Sequence, residues 1–361
     1  PLDCPLPEDL LMVPDRESTQ RDARECLAGL PADPRFFTTS VAVQDLDDVR
    51  EALGYERLHV YGASYGTRVA QHYLRRYPEH TGVVILDGVV PAGRPLGPRL
   101  AINAQVALDR ILARCAADTA CGERFPDLAG QLAVLEARVA KEPTPLSLSH
   151  PLSGETVDFR LGPLELATAL RLLSYAPESA ALLPLLIDEA GRGRPEPLAL
   201  QALMAGENLA GTLSLGMHNA VVCTEDVPWV DPATVDRSAL EDTYLGAVQF
   251  DSLMDLCEVW PAGVMDDDLL EPVISDHPVL LLSGEFDPVT PPAWAEEAMG
   301  GLANSRHIVA AGQGHGAAIR GCLPRLMADF VDSEGFETLD FGCVERLRAP
   351  PFLLDYAGPS P

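Results

Sequence analysis

Ser64 lies in the short run Gly62-Ala63-Ser64-Tyr65-Gly66, between the apolar segment LHVY and the amphipathic segment TRVAQHYLRRY. The first segment predicts a buried strand and the second predicts a helix. A serine at the turn from a parallel strand into a helix lies at the carboxyl edge of the sheet, where helix N–H groups favour a developing negative charge. We expect glycines on both sides because such a sharp turn leaves no room for Cβ atoms. The pattern predicts a nucleophile elbow, and a tight glycine turn with an incidental serine is the alternative.

A serine hydroxyl attacks a carbonyl only when a base takes its proton, and an acid must orient that base. The segment LLLSGEFDPVTPP puts Asp287 just past an apolar predicted strand, and HIVAAGQGHG puts His315 just past the next one. Both positions lie at the same sheet edge as Ser64, in the chain order serine, acid, histidine. We therefore predict a catalytic triad of Ser64, Asp287 and His315, with the backbone N–H of Tyr65 as an oxyanion-hole donor.

Other residues compete for the roles of acid and base. Asp87 ends the predicted strand TGVVILD that follows the elbow, and it is the alternative acid because the acid can in principle lie one strand earlier. The remaining histidines fit a base less well, because they lie within predicted strands, in or just after the helix that follows the elbow, or away from any strand end: His59, His307, His72, His80, His150, His218 and His277.

The elements that must position these residues alternate along the chain. TTSVAVQDLDDVREALGY predicts a helix before the first strand, and PPAWAEEAMGGL and AAIRGCLPRLMADFVD predict helices on either side of the strand SRHIVAA. Such alternation indicates an α/β fold with a mostly parallel sheet flanked by helices. In between, long helical patterns with proline- and glycine-rich joints predict an inserted helical cap. We predict a split core at residues 1–99 and 272–361, the second part including an irregular tail, around a cap at residues 100–271.

The composition excludes several classes of partner. The 361 residues include 26 Lys and Arg against 54 Asp and Glu, for a formal charge of -28 at pH 7. Such a chain repels nucleic acid and anionic membranes, and no apolar run approaches the ~18 residues of a membrane span. We expect neither nucleic acid nor a membrane as a partner, and no motif implies a metal or an organic cofactor.

The eight cysteines fall into four couples that are close in sequence. They include no C-x-x-C motif, and no Cys/His cluster has the spacing of a zinc site. Local disulfides would indicate an oxidising compartment, so we expect a secreted or periplasmic protein. The alternative is eight free thiols in a cytosolic protein. The predicted pairs are Cys4–Cys26, Cys115–Cys121, Cys223–Cys257 and Cys322–Cys343.

Four ordered segments resemble one known family: VYGASYGTRVAQHYLRRYPEHTGVVILDGVVP, VVCTEDVPW, LLLSGEFDPVTPP and GQGHG. Together they are similar to the α/β-hydrolases of the proline iminopeptidase and tripeptidyl aminopeptidase group, above all to its secreted tripeptidyl aminopeptidase branch. The resemblance implies an α/β-hydrolase core with a helical cap. It also implies a serine exopeptidase that removes amino acids or short peptides from free N-termini.

The chain departs from this family at two points. The family elbow often has a glycine where this chain has Ala63, a small change that we expect to be tolerated. The family's upstream segments, H-G-G-P-G and D-x-R-G-x-G-x-S, are not found before the region that matches PLDCPLPEDL. We therefore expect the chain to begin partway through the hydrolase domain, without the first strands and one oxyanion donor.

An aminopeptidase must bind an ammonium group, and a carboxylate shielded from water does so by charge-assisted hydrogen bonding. The segment CTEDVPW offers Glu225 and Asp226. The resemblance implies Glu225 as the better candidate for this anchor, with Asp226 second. Two other functions stay open: a carboxylesterase or lipase, which needs no such carboxylate, and a non-catalytic binding protein with a hydrolase fold.

Overall fold

The computed structural model describes residues 2–4 and 15–359. These residues form six strands, which are β1 (Leu58–Ala63), β2 (Thr81–Asp87), β3 (Thr144–Ser149), β4 (Thr156–Leu161), β5 (Val279–Gly284) and β6 (Ser305–Ala310). The α-helices of the described residues are α1 (Arg16–Gly29), α2 (Thr39–Ala52), α3 (Tyr65–Arg76), α4 (Pro98–Ala117), α5 (Thr119–Arg124), α6 (Leu128–Lys141), α7 (Pro163–Leu173), α8 (Pro177–Ala180), α9 (Leu183–Gly191), α10 (Glu196–Thr212), α11 (Leu215–Glu225), α12 (Arg237–Glu241), α13 (Val248–Cys257), α14 (Pro292–Met299) and α15 (Leu323–Ser333). Short 3-10 helices span Pro34–Phe36, Pro78–His80, Val227–Trp229, Pro232–Thr234 and Phe341–Arg346.

The main sheet has four parallel strands in the order β1-β2-β5-β6. The two central strands, β2 and β5, are buried along their whole length, as expected for apolar strands covered on both faces. All four strands run in the same direction, so their carboxyl ends meet at one edge of the sheet. The predicted parallel sheet is therefore confirmed.

Side chains that alternate along the central strands pack against helices on opposite faces of the sheet. On one face, Val84 and Leu86 join a buried cluster with Leu74 of α3. On the other face, Ile85 and the neighbouring strands pack against α15 through residues such as Phe330. Successive side chains of a strand point to opposite faces of the sheet, and here both faces are covered by helices. The two central strands are therefore almost continuously apolar.

The segment from α4 to α13 lies between β2 and β5 in sequence and is mostly helical. Its own buried core is formed mainly by leucines of α4, α6, α7 and α9. None of the helices in the described parts of the chain is long and apolar enough to cross a membrane.

The helical segment also contains an antiparallel hairpin that the helical patterns did not predict. Strands β3 and β4 pair from Thr144 opposite Leu161 to Ser149 opposite Thr156. The sequence carried a signal for it, because TVDFRL alternates polar and apolar residues, and Phe159 and Leu161 turn inward to the helical core. The segment was predicted to be mostly helical, and this hairpin is its non-helical part.

Two predicted helices also differ in the structure. The run ESAALLPLLIDEA forms two helices, α8 and α9, with Pro184 in the first turn of the second. Helix α15 begins at Leu323, six residues later than the pattern AAIRGCLPRLMADFVD suggested. Gly321 has φ +50°, which interrupts a helix, and Pro324 is suited to the first turn of a new one.

All four predicted disulfides are confirmed. The structure pairs Cys4 with Cys26, Cys115 with Cys121, Cys223 with Cys257, and Cys322 with Cys343. No cysteine is left free. Each bond joins a helix to a neighbouring segment: residue 4 to α1, α4 to α5, α11 to α13, and the start of α15 to the 3-10 helix at Phe341–Arg346.

Candidate active site

Ser64 occupies a strained turn between β1 and α3. Its backbone has φ 52° and ψ -123°, a conformation that a residue with a side chain rarely adopts. Two contacts fix this turn: the Ser64 N–H donates to the Asp87 carbonyl at 2.8 Å, and its own carbonyl accepts from the Thr67 hydroxyl at 2.6 Å. The predicted elbow is thus present as a local backbone structure.

The two glycines of the elbow are not equivalent. A Cβ at Gly62 would lie 2.2 Å from the carbonyl oxygen of Gly66, so only glycine fits there. A Cβ at Gly66 would meet nothing within 4 Å. The expectation that both glycines are required by close packing is therefore wrong for Gly66, because this residue contributes its carbonyl to the tight approach and its own Cβ direction is open.

Asp287 and His315 form a buried pair. Asp287 Oδ2 lies 2.8 Å from His315 Nδ1, and the two side chains are 0% and 14% exposed. The other carboxylate oxygen accepts from the backbone N–H groups of Val289 and Thr290, both at 2.8 Å. The Thr290 hydroxyl donates to Asp287 Oδ2 at 2.9 Å. Both oxygens of the Asp287 carboxylate therefore accept hydrogen bonds, and these bonds fix its orientation toward His315.

Tyr175 contacts His315 with both its main chain and its ring. The backbone N–H of His315 donates to the Tyr175 carbonyl at 2.8 Å, and the Tyr175 ring meets the imidazole edge-on at 5.4 Å between centroids. Burial alone would lower the pKa of His315, but the charge and hydrogen bond of Asp287 outweigh it. With a smaller contribution from the charge of Asp87, the pKa of His315 lies above its ordinary value.

Ser64 and His315 both lie against the backbone at the carboxyl end of β2. The Asp87 carbonyl holds the Ser64 N–H, and the next residue, Gly88, touches the imidazole so closely that an added Cβ would lie 3.0 Å from His315 Cε1. The residues that follow β1, β5 and β6 therefore converge at the carboxyl edge of the sheet. A serine, a histidine and a carboxylate in this arrangement can perform nucleophilic acyl transfer.

Comparison with known proteins gives the fold. Residues 18–119 match the family described as alpha/beta hydrolase fold, and residues 242–343 match the family described as TAP-like protein. The first match contains Ser64, and the second contains Asp287 and His315. The chain has the α/β-hydrolase fold.

Individual relatives of this α/β-hydrolase are distant. The tripeptidyl aminopeptidase of Streptomyces coelicolor is 24% identical over 391 residues of alignment, covering 97% of this chain and 68% of that protein. The serine protease Hip1 of Mycobacterium tuberculosis is 39% identical over 87 residues, which is 23% of this chain and 16% of that protein. The solved structure of a proline iminopeptidase from Mycobacterium smegmatis covers 84% of this chain and 74% of its own, with 18% identity and a TM-score of 0.36. This chain spans 58 to 68% of the length of the relatives that match most of it.

Asp87, the alternative acid of this hydrolase, does not bond to the imidazole. Its carboxylate is buried, and its oxygens accept from the N–H groups of Ala317 and Ala318 at 2.8 and 2.9 Å. The Tyr61 hydroxyl donates to it at 3.2 Å. Burial and the nearby carboxylate raise the pKa of Tyr61 to about 12. The carboxylate paired with His315 Nδ1 is that of Asp287.

Glu225 and Asp226, the predicted substrate anchors, are at the end of α11, and both are fully buried. Glu225 accepts from the backbone N–H of Thr39 at 2.6 Å and from its hydroxyl at 2.7 Å. Asp226 Oδ1 accepts from Arg68 at 2.9 Å and from the Leu96 N–H at 2.7 Å, while its Oδ2 is buried without a hydrogen-bond partner among the described residues. Two carboxylates thus face one guanidinium.

The Glu225–Asp226 cluster lies next to the elbow through Tyr65. The Tyr65 hydroxyl and the Thr39 hydroxyl are 2.7 Å apart, and the same Thr39 hydroxyl donates to Glu225. Burial, and then the charge of Glu225, raise the pKa of Tyr65. Burial likewise raises the pKa of Glu225, against the opposing effect of its bonds to Thr39 and of the Arg68 charge.

A groove in the helical segment does not contain the candidate triad. It has a volume of about 440 Å³ and lies between α4, α6 and α7, inside the helical segment. Its walls include Leu132 and Leu166, and its rim carries Asp109 and Glu136. Ser64, Asp287 and His315 are instead at the sheet edge, outside this groove.

One cluster has the residue types of a metal site. His72, Asp266 and Asp268 have potential ligand atoms within 4.8 Å of one another. Arg76, however, donates to Asp266 at 2.9 Å and pairs with Asp268. The guanidinium supplies the positive charge that a metal would otherwise bring, so the cluster is an ion-pair network.

Sequence reasoning missed three residues that shape the site. Thr290 follows Asp287 by three residues, so the short polar motif DPVT was an available signal for a side-chain-supported turn. Tyr175 and Arg68 gave no such signal, because each meets its partner across a large separation in sequence.

Proposed function

We propose that this α/β-hydrolase is a serine exopeptidase that releases amino acids or short peptides from the free N-termini of peptide substrates. The observation that carries the proposal is the Asp287–His315 pair, which lies against the same end of β2 that holds the strained turn at Ser64. The similarity of residues 242–343 to the TAP-like family supports a peptidase over other hydrolases.

In the proposed reaction the Ser64 hydroxyl attacks the scissile carbonyl and His315 takes its proton. Asp287 holds the imidazole in the tautomer with a proton on Nδ1 and stabilises the imidazolium that forms. The Tyr65 N–H, free at the start of α3, donates to the oxyanion. His315 then protonates the leaving amine, and a water molecule, activated by the same histidine, hydrolyses the acyl-enzyme.

The amino end of the substrate needs a negative partner, for which we propose Glu225 together with Asp226. The cluster has two carboxyl groups for the single guanidinium of Arg68, and Asp226 Oδ2 lacks a donor among the described residues. An ammonium group would supply both the charge and the hydrogen bond. Because both carboxylates are fully buried, this role requires the substrate to displace side chains that cover them.

We also propose that the protein works in an oxidising compartment, as a secreted or periplasmic enzyme. All eight cysteines are paired in disulfides, and such bonds persist outside the reducing cytosol.

Cleavage of one tripeptide p-nitroanilide, with its N-terminus free or acetylated, tests the exopeptidase proposal in the full-length protein. We expect cleavage of the free form, and little or none of the acetylated form, because the acetyl group removes the positive charge that the anchor binds. Ser64→Ala should abolish cleavage, whereas Ser153→Ala, at an exposed turn between β3 and β4, should leave it unchanged.

Equal cleavage of the free and acetylated peptides would contradict the exopeptidase proposal and favour an esterase-like or endopeptidase activity. Retention of full activity in Ser64→Ala would contradict the assignment of the nucleophile itself.

A further inference from the structure

We propose that Asp87 is a positioning residue that fixes the histidine loop, residues 311–318, against the nucleophile elbow. The inference rests on the proposed roles of Ser64 and His315, and it assigns Asp87 a task different from that of the triad acid.

The backbone of residues 87 and 88 contacts both the nucleophile elbow and the histidine. The Asp87 carbonyl accepts from the Ser64 N–H at 2.8 Å, which ties the elbow to β2. Gly88 has φ +66° and lies against the imidazole of His315, where a Cβ would be 3.0 Å from Cε1. The position of this one peptide unit therefore sets the spacing between Ser64 and His315.

The side chain of Asp87 binds the histidine loop. Its Oδ1 accepts from the Ala317 N–H at 2.8 Å and its Oδ2 from the Ala318 N–H at 2.9 Å. These residues lie two and three positions after His315, and Gly316, between His315 and Ala317, has φ +83°. One residue thus binds the elbow with its main chain and the histidine loop with its carboxylate.

Only a carboxylate satisfies these contacts. Two backbone N–H groups and the Tyr61 hydroxyl all donate to it, so both oxygens must be acceptors. An asparagine would turn an N–H₂ group toward one of these donors and leave a buried N–H without an acceptor. These three donors are the physical reason for a buried carboxylate at Asp87, although Asp87 does not bond to His315.

The charge of Asp87 also acts on the imidazole. Two negative groups, at the end of β2 and after β5, favour the imidazolium, and one guanidinium on α7 opposes it. Removing the charge of Asp87 should therefore lower the pKa of His315. The titratable, charged and polar groups that face His315 from the elements around it are Asp87, Asp287, Thr290, Arg171 and Tyr175.

The test compares wild-type protein with Asp87→Asn and with the matched control Asp45→Asn, an exposed carboxylate on α2. The rate at which a fluorophosphonate labels Ser64 reports serine reactivity without any peptide substrate, and ¹H–¹⁵N NMR titration of the imidazole reports the pKa of His315. We expect Asp87→Asn to slow labelling roughly 10- to 100-fold, as for a small misplacement of reacting groups, and to lower the pKa of His315. Asp45→Asn should behave as wild type.

Labelling at the wild-type rate in Asp87→Asn would overturn the inference, as would an unchanged pKa of His315. It would also be overturned if Asp287→Asn kept wild-type reactivity, because Asp87 would then be the acid itself.

Hydrogen exchange in the wild-type protein keeps the inference testable if the variant does not fold. The amide hydrogens of Ala317 and Ala318 should exchange slowly, and rapid exchange would show that Asp87 does not hold them. Labelling with a fluorophosphonate needs no peptide substrate. These results can therefore be interpreted even if the protein does not cleave peptides from free N-termini.

Discussion

At the scale of single residues, the candidate site depends on a few backbone positions where the choice of side chain is fixed by contact distance. Ser64 keeps its positive φ because both of its backbone polar groups are bonded: its N–H donates to the Asp87 carbonyl, and its carbonyl accepts from the Thr67 hydroxyl. Gly62 makes this possible by allowing the carbonyl of Gly66 to approach its Cα. The strain at the nucleophile is thus balanced by neighbouring hydrogen bonds and by one glycine.

The two elbow glycines should respond differently to substitution by alanine. Gly62→Ala should lower the free energy of unfolding by about 1–3 kcal/mol or more, because its Cβ would meet backbone at 2.2 Å. Gly66→Ala should be neutral or stabilising by about 0.4–1 kcal/mol, because the residue is helical and its Cβ direction is open. Urea denaturation of the two variants measures both effects. A larger loss in Gly66→Ala than in Gly62→Ala would be inconsistent with this packing.

At the scale of elements, three helices meet beside the nucleophile. Helix α3 begins one residue after Ser64 and contributes Arg68, α11 ends at Glu225, and α2 begins with Thr39. Thr38 is the N-cap residue of α2 but makes no side-chain cap bond, and the Thr39 side chain donates to Glu225. The start of one helix therefore binds the end of another, which brings two acidic residues of the helical segment to the elbow.

Neutralising Glu225 tests the proposed anchor at this helix junction. Glu225→Gln removes one of the two carboxyl groups of the cluster, so the KM for peptides with a free N-terminus should rise about 10- to 100-fold, equivalent to the loss of a charge-assisted hydrogen bond of ~1.5–3 kcal/mol. Hydrolysis of a simple ester such as p-nitrophenyl acetate, which has no ammonium group, should change little. Steady-state kinetics with both substrates measures the difference.

Glu142→Gln, at the exposed end of α6, is the control for loss of one negative charge far from the elbow. An equal effect of Glu225→Gln on the ester and on the free peptide would mean that Glu225 supports the fold of the site and does not bind the amino end.

At the scale of the whole molecule, the disulfides are distributed over the fold and not concentrated at the site. Two of them, Cys4–Cys26 and Cys223–Cys257, share one buried cluster with Trp260 and so tie α1, α11 and α13 together. A third lies in the helical core, and the fourth joins α15 to the following 3-10 helix. The bonds thus stabilise the helices that surround the sheet.

Reduction should destabilise the protein without an effect specific to catalysis. Each disulfide closes a short loop and is expected to contribute roughly 2–4 kcal/mol to the free energy of unfolding. Dithiothreitol should therefore lower the melting temperature in differential scanning calorimetry. Alkylation of the unreduced, denatured protein followed by mass measurement should detect no free thiol, and eight alkylated cysteines would contradict the pairing.

The sequence by itself determined the elements and the local bonds of this protein. Periods of two and of 3.6 residues are fixed by neighbours along the chain, so β1, β2, β5, β6 and helices such as α2, α3 and α14 followed from the pattern of apolar residues. The disulfide pairs followed for the same reason, because their partners are only 6 to 34 residues apart.

Only the tertiary structure decided which side chains meet. Asp87 ends β2, and Asp287 follows β5 at the same sheet edge. Chain order favoured Asp287 as the partner of His315, but nothing in the local pattern indicated that Asp87 would hold the loop behind the histidine. Likewise, Glu225 meets Thr39 across 186 residues and Asp87 meets Ala317 across 230. Contacts of this kind depend on how helices and strands pack, where a shift of an ångström exchanges one hydrogen-bond partner for another. Such a shift leaves no trace in the spacing of residues along the chain.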